Sequence, residues 1–417
     1  MTRPARIADP VAPAGIEIAA PRTGDLARVV AGTGAAPFAE DVLDFVAALS
    51  RAILTGRQFR AYPELVAFAH WMRKRNLLDM KARFEAETAG RFLTGRGLAL
   101  HIAPANVDTI FLYSVLLSLM AGNANVVRVS SRRSEQIEVL IGQLDEVLSR
   151  PEHAAVAERM MVVRYPRDEA INAWLSARAD LRVVWGGDAS IMAMRAIPAR
   201  PHTKDVSFPD RWSLAVLDAA ALLAEDETAL ERMIGDFVND TYWFGQLACS
   251  SPRMVLWRGD EATAEAASER FWTLVEDKAA RFRDELFAVD YVNKLIAGDE
   301  MAIGHQARAI RVGRSNVVGL VRLAPGALPD MDMHTGAGLF FEGRIDTLDA
   351  LAARISRKTQ TVVSHGIGRA DWEDFLVRCR PHGIDRIVPV GAALDFAAVW
   401  DGMDLLREFT RETTLSV

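Results

Sequence analysis

Cysteine is scarce in this chain: Cys249 and Cys379 are the only 2 among 417 residues. Two cysteines rule out a disulfide framework, and no grouping of His, Cys, Asp or Glu has metal-ligand spacing, so no metal is expected. Basic charge is short as well. Lys and Arg together number 49 against 55 for Asp and Glu, a formal net charge of -6. The arginines are scattered and no stretch interleaves dense basic charge with aromatics, so nucleic acid is not an expected partner. Long hydrophobic runs are missing too. The longest, Thr109–Ala121, falls short of the roughly 20 residues that cross a bilayer. The opening MTRPARIADPVAPAG has no apolar core of the secretory kind. These absences point to a cytoplasmic protein in a reducing compartment, without a membrane span. What remains is ordinary globular material, 50% hydrophobic and 25% charged, in a chain long enough for two or three domains.

Residues 1–40 are rich in Pro, Ala and Gly and read as a partly extended lead-in, followed by helical periodicity from Asp41 to Ala89. From Gly97 the pattern alternates. Leu98–Ala103 is a short apolar run, Val107–Ala121 an apolar helix stopped by Gly122-Asn123, and Val126–Val129 a second strand. Ser134–Leu148 is amphipathic, with Ile137, Leu140, Ile141, Leu144, Val147 and Leu148 on one stripe. Met161–Val163, Asp168–Ala177 and Leu181–Trp185 then read as strand, helix and strand. Gly186-Gly187 turns the chain, and Asp188 is expected to cap a helix at Ala189–Arg195.

Strand and helix alternating at this spacing predict an α/β fold with a doubly wound, Rossmann-type parallel sheet, whose ligands sit beyond the carboxyl ends of the strands. Pro104–Asn106, Ser130–Arg133 and Gly186-Gly187 follow strands in this way. A second α/β unit starts near Ser213, with strands at Leu214–Leu217, Met254–Trp257, Ile310–Val312, Val317–Val321, Leu339–Phe341 and Thr361–Ser364. Its helices are expected at Glu227–Phe237 and Leu348–Ile355. The expected division is 1–212 for the lead-in and cofactor domain, 213–390 for the catalytic domain, and 391–417 for a tail that returns to the cofactor or oligomerisation region.

Cys249 lies between a helix and a strand in Gly245-Gln-Leu-Ala-Cys-Ser-Ser-Pro-Arg253, among small neighbours that leave room for an incoming carbonyl. The plain alternative is a buried packing cysteine. Cys379 falls on a stripe with Trp372, Phe375 and Leu376 at helical spacing and reads as packing.

The Tyr242–Arg253 segment, with its Gly-Gln-x-x-Cys core, resembles the nucleophile loop of aldehyde dehydrogenases. Pro104-Ala-Asn106, the apolar helix after it and Ala121-Gly-Asn123 resemble that superfamily's Pro-x-Asn and Ala-Gly-Asn elements. An ordered set of segments resembles more closely the bacterial acyl-CoA reductases of the LuxC type. It begins with Tyr62-Pro-Glu-Leu-Val66, His101-Ile-Ala-Pro-Ala-Asn-Val107, Gly122-Asn-Ala-Asn125 and Val127-Arg-Val-Ser-Ser131. It continues with Trp185-Gly-Gly187, Ala248-Cys-Ser-Ser-Pro252, Asp385-Arg-Ile-Val-Pro389 and Trp400-Asp-Gly402.

The resemblance implies an aldehyde-dehydrogenase-like fold in which Cys249 carries the acyl group and Asn106 donates to the oxyanion; the plain reading of Asn106 is a helix N-cap. It implies NADPH as cofactor, with Arg128, Ser130, Ser131 and Arg132 near the adenosine ribose and Gly186 and Gly187 near the pyrophosphate. An Arg-Arg pair beside Glu135 is equally a solvated helix start, and the glycines an ordinary turn. His334 and Gln246 are second-tier candidates beside the nucleophile. Hydrolytic relatives carry a glutamate in a Glu-Leu-Gly-Gly segment that activates water; the matching stretch, Ser207–Ser213, has none, and its Asp210 is displaced. That departure implies reduction of an acyl thioester to an aldehyde, with coenzyme A or a carrier thiol leaving. The implied partners are an acyl-transferring or synthetase protein and further copies of this chain, as a homo-oligomer. A CoA-acylating aldehyde dehydrogenase running oxidatively, or a non-catalytic or acyl-transfer subunit, stays open at this point.

Overall fold

The structure is a computed structural model that describes residues 12–103, 110–304, 306–313 and 315–417. It divides into two compact units, one of residues up to Pro209 together with Phe396–Val417, the other Asp210–Asp395.

In the first unit the strands are β1 (Glu17–Ala20), β2 (Phe92–Gly95), β3 (Leu98–Ile102), β4 (Ala124–Val129), β5 (Met160–Arg164), β6 (Leu181–Trp185) and β7 (Lys204–Phe208). Six of them form a sheet in the order β1-β5-β4-β3-β6-β7. All neighbours run parallel except β1, which lies antiparallel on β5. Every residue of β5 and β6 is buried, because helices cover both faces of a parallel sheet; this is why MMVVR and LRVVW read as continuous runs rather than alternating ones. Their two arginines are matched by carboxylates: Arg164 meets Glu138 and Glu17, and Arg182 Nε donates to Asp205 Oδ1 at 2.6 Å.

The apolar run of the sequence forms the helix Ile110–Met120, which packs on β3 and β4 with Phe111 to Met120 buried. Among the described residues no helix is long and apolar enough to cross a membrane. Glu135–Leu148 is helical with the predicted stripe inward, and the Ser134 hydroxyl accepts from Ile137 N–H at 3.3 Å as its cap. Asp188 is a correction. It is the first helical residue of Asp188–Ala196, Gly187 occupies the cap position, and no side chain caps this end. The lead-in is also more regular than its composition suggests, since β1 and the helix Leu26–Val30, capped by Asp25, come from it.

The second unit holds β8 (Trp212–Asp218), β9 (Pro252–Arg258), β10 (Ala307–Val312), β11 (Gly319–Leu323), β12 (Leu339–Ile345), β13 (Thr359–His365) and β14 (Arg386–Pro389). They form one sheet in the order β10-β11-β12-β9-β8-β13-β14, parallel except for β10 on β11. Alternation along β8 feeds two cores. Leu214 and Val216 join Leu256 and Phe341 on one face, while Ala215 and Leu217 join Phe237, Trp257, Phe271 and Trp272 on the other. Three expectations shift here. The strand placed at Val317–Val321 runs Gly319–Leu323, the helix at Leu348–Ile355 is a 3-10 turn at Leu348–Arg354, and the helix from Glu227 continues to Tyr242. On the Arg369–Cys379 helix only Trp372 and Phe375 are buried; Cys379 is half-buried against the core.

After Asp395 the chain rejoins the first unit. Phe396 stacks on Trp71 at 5.7 Å between ring centroids. Beyond the hairpin of β15 (Val399–Trp400) and β16 (Met403–Asp404), β17 (Thr410–Thr413) pairs antiparallel with β2.

Candidate active site

In the first unit the strand order reverses between β3 and β6, which is where an open parallel sheet leaves a crevice at its carboxyl edge. A cleft of about 840 Å³ lies there, lined by Ile102 and Ala103 after β3, Arg128 on β4, Pro166–Glu169 after β5, and Trp185, Gly186 and Gly187 after β6. Gly187 precedes the Asp188–Ala196 helix, and a Cβ added to it would meet nothing within 4 Å, so the cleft comes right up to its backbone. Trp185 stacks on Phe208, ring centroids 3.7 Å apart. Its indole N–H is buried and has no partner among the described residues. Arg128 Nη2 donates to Tyr165 O at 3.4 Å, and burial pulls its pKa down. Both charge signs line the cleft. Arg128 and Arg167 favour an anion, Glu169 opposes it, and Asp168 spends its carboxylate on Ala170 N–H and Ile171 N–H.

The structure thus brings Arg128, Gly186 and Gly187 together. Ser130, Ser131 and Arg132 are not part of the cleft lining. Ser130 Oγ accepts from Arg132 N–H at 3.1 Å, and Ser131 and Arg132 are exposed. Arg133 pairs with Glu17 and Glu138. Asn106 lies outside the described residues.

In the second unit the helix Glu227–Tyr242 gives way to a loop that holds Cys249 ahead of β9. Phe244, Gly245 and Gln246 have φ of 62°, 57° and 63°. Such a conformation is uncommon for residues other than Gly and persists only when the surroundings fix it. Gln246 supplies the fixing. Its amide N–H groups donate to Pro252 O and Leu339 O, both at 2.9 Å, and its Oε1 accepts from Gly338 N–H at 3.0 Å. Ser251 Oγ donates to Asp240 O at 2.7 Å, tying the loop to the helix before it.

His334 is buried nearby. Its Nδ1 accepts from Gly336 N–H at 3.2 Å, so Nε2 carries the proton and donates to Leu339 O at 2.7 Å. Burial first, and the Arg253 charge second, push its pKa down to about 3. With both ring nitrogens engaged and the ring neutral, His334 holds the turn before β12; Gln246 likewise shapes the cysteine loop.

Around Cys249 the structure adds two residues that sequence reasoning passed over. Gln360, on β13 and fully buried, donates its amide N–H to Cys249 Sγ at 3.2 Å. Arg253 is half-buried with its Nε unpartnered among the described residues, and burial lowers its pKa while Asp210, Cys249 and Asp332 raise it. Ser213 Oγ donates to Cys249 O at 2.7 Å. Asp210, the carboxylate nearest the expected glutamate position, is half-exposed and pairs with Lys358 Nζ at 3.5 Å. A second cavity in this unit, about 450 Å³, is lined by Arg308, Arg322, Arg344 and Arg354, without Cys249. Its buried carboxylate, Glu342, already accepts from Trp257 Nε1, Trp272 Nε1 and Ser268 Oγ, so it reads as structure.

A family model described as acyl-CoA reductase (LuxC) matches residues 70–282, a stretch that takes in the cleft and the cysteine loop. The chain belongs to that family. Its members are oxidoreductases acting on acyl and aldehyde groups. A relative from Aliivibrio fischeri, a long-chain acyl-protein thioester reductase, is 24% identical over 234 residues, 54% of this chain and 46% of the relative. The match therefore spans less than half of that relative's length. Among solved structures, an NAD-dependent aldehyde dehydrogenase from Sinorhizobium meliloti superposes with a TM-score of 0.64 at 14% identity, covering 95% of this chain and 84% of its own. Lactaldehyde dehydrogenase from Escherichia coli gives 0.56 at 13% identity, with coverage of 93% and 84%. At these identities they establish the fold, which is that of aldehyde dehydrogenases.

Proposed function

We propose that this protein reduces an acyl thioester to an aldehyde through an acyl group carried on Cys249, with NADPH as reductant. The observation that carries the reading is the surroundings of Cys249: an amide donor on the sulfur, a guanidinium nearby, and Asp210 engaged by Lys358. Hydrolysis needs a base within hydrogen-bond reach of the acyl-enzyme; a sulfur met by an amide favours an acyl-enzyme that waits for another fate.

Cys249 sulfur attacks the thioester carbonyl, the new C–S bond forms, and coenzyme A or a carrier thiol departs with the electron pair of the old one. Asn106 is proposed as side-chain donor to the oxyanion, on the family resemblance alone. The cleft at the β3–β6 reversal fits a dinucleotide: small residues at a helix N-terminus for the pyrophosphate, Arg128 and Arg167 for phosphate charge, and an indole N–H still to be satisfied. The nicotinamide, when bound, supplies hydride to the acyl carbon. Collapse of the resulting thiohemiacetal returns the electron pair to Cys249 sulfur and frees the aldehyde.

The test is intact mass spectrometry of the protein mixed with acyl-CoAs of graded chain length, followed by NADPH. An acyl adduct that maps to Cys249 and is discharged as aldehyde is the expected result. No adduct from any donor, with NADPH still bound, overturns the reading.

A further inference from the structure

Two adjacent residues of β13 position Cys249, one directly and one through Ser213 of β8, and they divide its atoms between them. On β13, Gln360 reaches the sulfur, Nε2 to Sγ at 3.2 Å. The next residue, Thr361, donates its backbone N–H to Ser213 Oγ at 3.0 Å, and that hydroxyl donates in turn to Cys249 O at 2.7 Å. Sulfur and main chain of the same cysteine are thus positioned from adjacent residues of a fully buried segment, Thr359 to Thr361.

The amide is also oriented. Thr361 Oγ1 donates to Gln360 Oε1 at 3.4 Å, and Gln360 O accepts from Asp385 N–H at 2.8 Å. With the carbonyl end of the side chain occupied, the N–H end is the one that faces sulfur. An N–H aimed at sulfur favours the charged form, as any hydrogen bond to the ionised state does. Arg253 supplies the sign. A desolvated guanidinium is costly unless anions face it; Arg253 faces Asp210, Cys249 and Asp332, and its Nε has no hydrogen-bond partner among the described residues.

We propose that Gln360 is a catalytic residue that holds Cys249 as a thiolate by donating N–H to Sγ, with the Arg253 guanidinium as the compensating charge. The thiol proton goes to solvent. The same donor steadies the sulfur when the thiohemiacetal collapses and the C–S electron pair returns to it. An amide, unlike a carboxylate, can do this without offering a base to water. The proposal shares its cysteine with the reading above but rests on the sulfur's environment, not on the acyl chemistry.

The test is the rate of Cys249 alkylation by iodoacetamide on the full chain, from about pH 5 to about pH 10, with peptide mapping to separate Cys379. Gln360→Met removes the donor and Gln360→Glu puts a carboxylate in its place. Both are expected to move the midpoint up by about one pH unit or more, roughly a tenfold slower reaction near neutrality. Arg253→Gln is expected to move it the same way, and Arg253→Lys to restore part of the shift. An unchanged midpoint in both Gln360 variants, with unchanged melting temperature, overturns the proposal. If neither variant folds, the wild-type chain decides: a midpoint at or above the ordinary thiol value of about 8.5 overturns it, and one well below supports it. Wild-type protein that takes no acyl adduct, while the variants still shift the midpoint, removes the acyl reading and leaves this site standing.

Discussion

Gln246 occupies a backbone conformation that its side chain has to stabilise. Replacing it with Ala removes two donors and leaves Gly338 N–H, already buried, without its acceptor. A buried polar group left unpaired costs about 1–3 kcal/mol. Gln246→Ala is therefore expected to lower unfolding free energy by about 2–4 kcal/mol, read as a shift in urea midpoint at unchanged slope. Buried histidines give a pH dependence. His101, whose Nε2 donates to Asn125 Oδ1 at 3.0 Å, has its pKa pushed by burial down to about 4, and His334 to about 3. Unfolded, each takes a proton near pH 6.5, so below that value the unfolded chain binds more protons and stability falls with falling pH. Asp240 has the opposite sign. Burial raises its pKa to about 7 despite the Gly391 and Ala393 N–H groups it accepts; it binds a proton in the folded state first, and gains stability as pH drops from 7 toward 4. His334 and Asp240 offset each other within the second unit; in the first, Asp404, whose pKa burial also raises, opposes His101. His101→Gln is expected to lessen the loss of stability of the first unit on acidification from pH 7 to pH 5, read by limited proteolysis.

At the scale of the element, the cap residues make a cleaner prediction. Asp226 accepts from Ala229 N–H at 2.9 Å at the start of the helix that leads to the cysteine loop. Asp226→Ala is expected to cost about 1 kcal/mol in chemical denaturation and to leave Cys249 alkylation as it was. The strands that could be read from the sequence were the largely buried parallel ones, β3 to β6 among them, because burial on both faces writes a nearly unbroken apolar run. Elements at edges were harder. Val317 and Val318 are buried without being paired, so hydrophobicity placed a strand two residues early, and Leu348–Arg354 carries its helical pattern as 3-10 turns, which the apolar spacing does not distinguish from α. Cys249 could be singled out as a candidate because its loop has a local signature. Gln360 could not, since it reaches the sulfur across 111 residues of sequence through the pairing of β13 with β8. The one signal it gave was a glutamine near the start of a buried strand, an arrangement that is costly without a partner. Arg253, at the head of β9, gave the same kind of signal.

At the scale of the molecule, the chain leaves its first unit at Pro209 and comes back to it at Phe396. The returning segment is woven in. Phe396 lies edge-on to Phe68 at 5.0 Å, Tyr113 O–H donates to Ala397 O at 2.6 Å, Asn123 Nδ2 donates to Phe409 O at 3.0 Å, and β17 pairs with β2. Deleting 396–417 exposes those rings and leaves the Asn123 amide short of an acceptor. The first unit is expected to lose its cooperative unfolding transition, while Asp210–Asp395, contiguous in sequence, keeps its own; circular dichroism melts of the truncated and full chains check this.

The interrupted chain also sets an order of events on the ribosome. Domains usually mature from the N-terminus as they emerge, yet here the unit that begins first cannot close until Phe396 and the strand after it have been made. The inserted unit has all its strands in hand by Pro389 and can settle before its host. During synthesis the first unit, with all six strands of its sheet made but Trp71 and Tyr113 still uncovered, is the form a chaperone would meet.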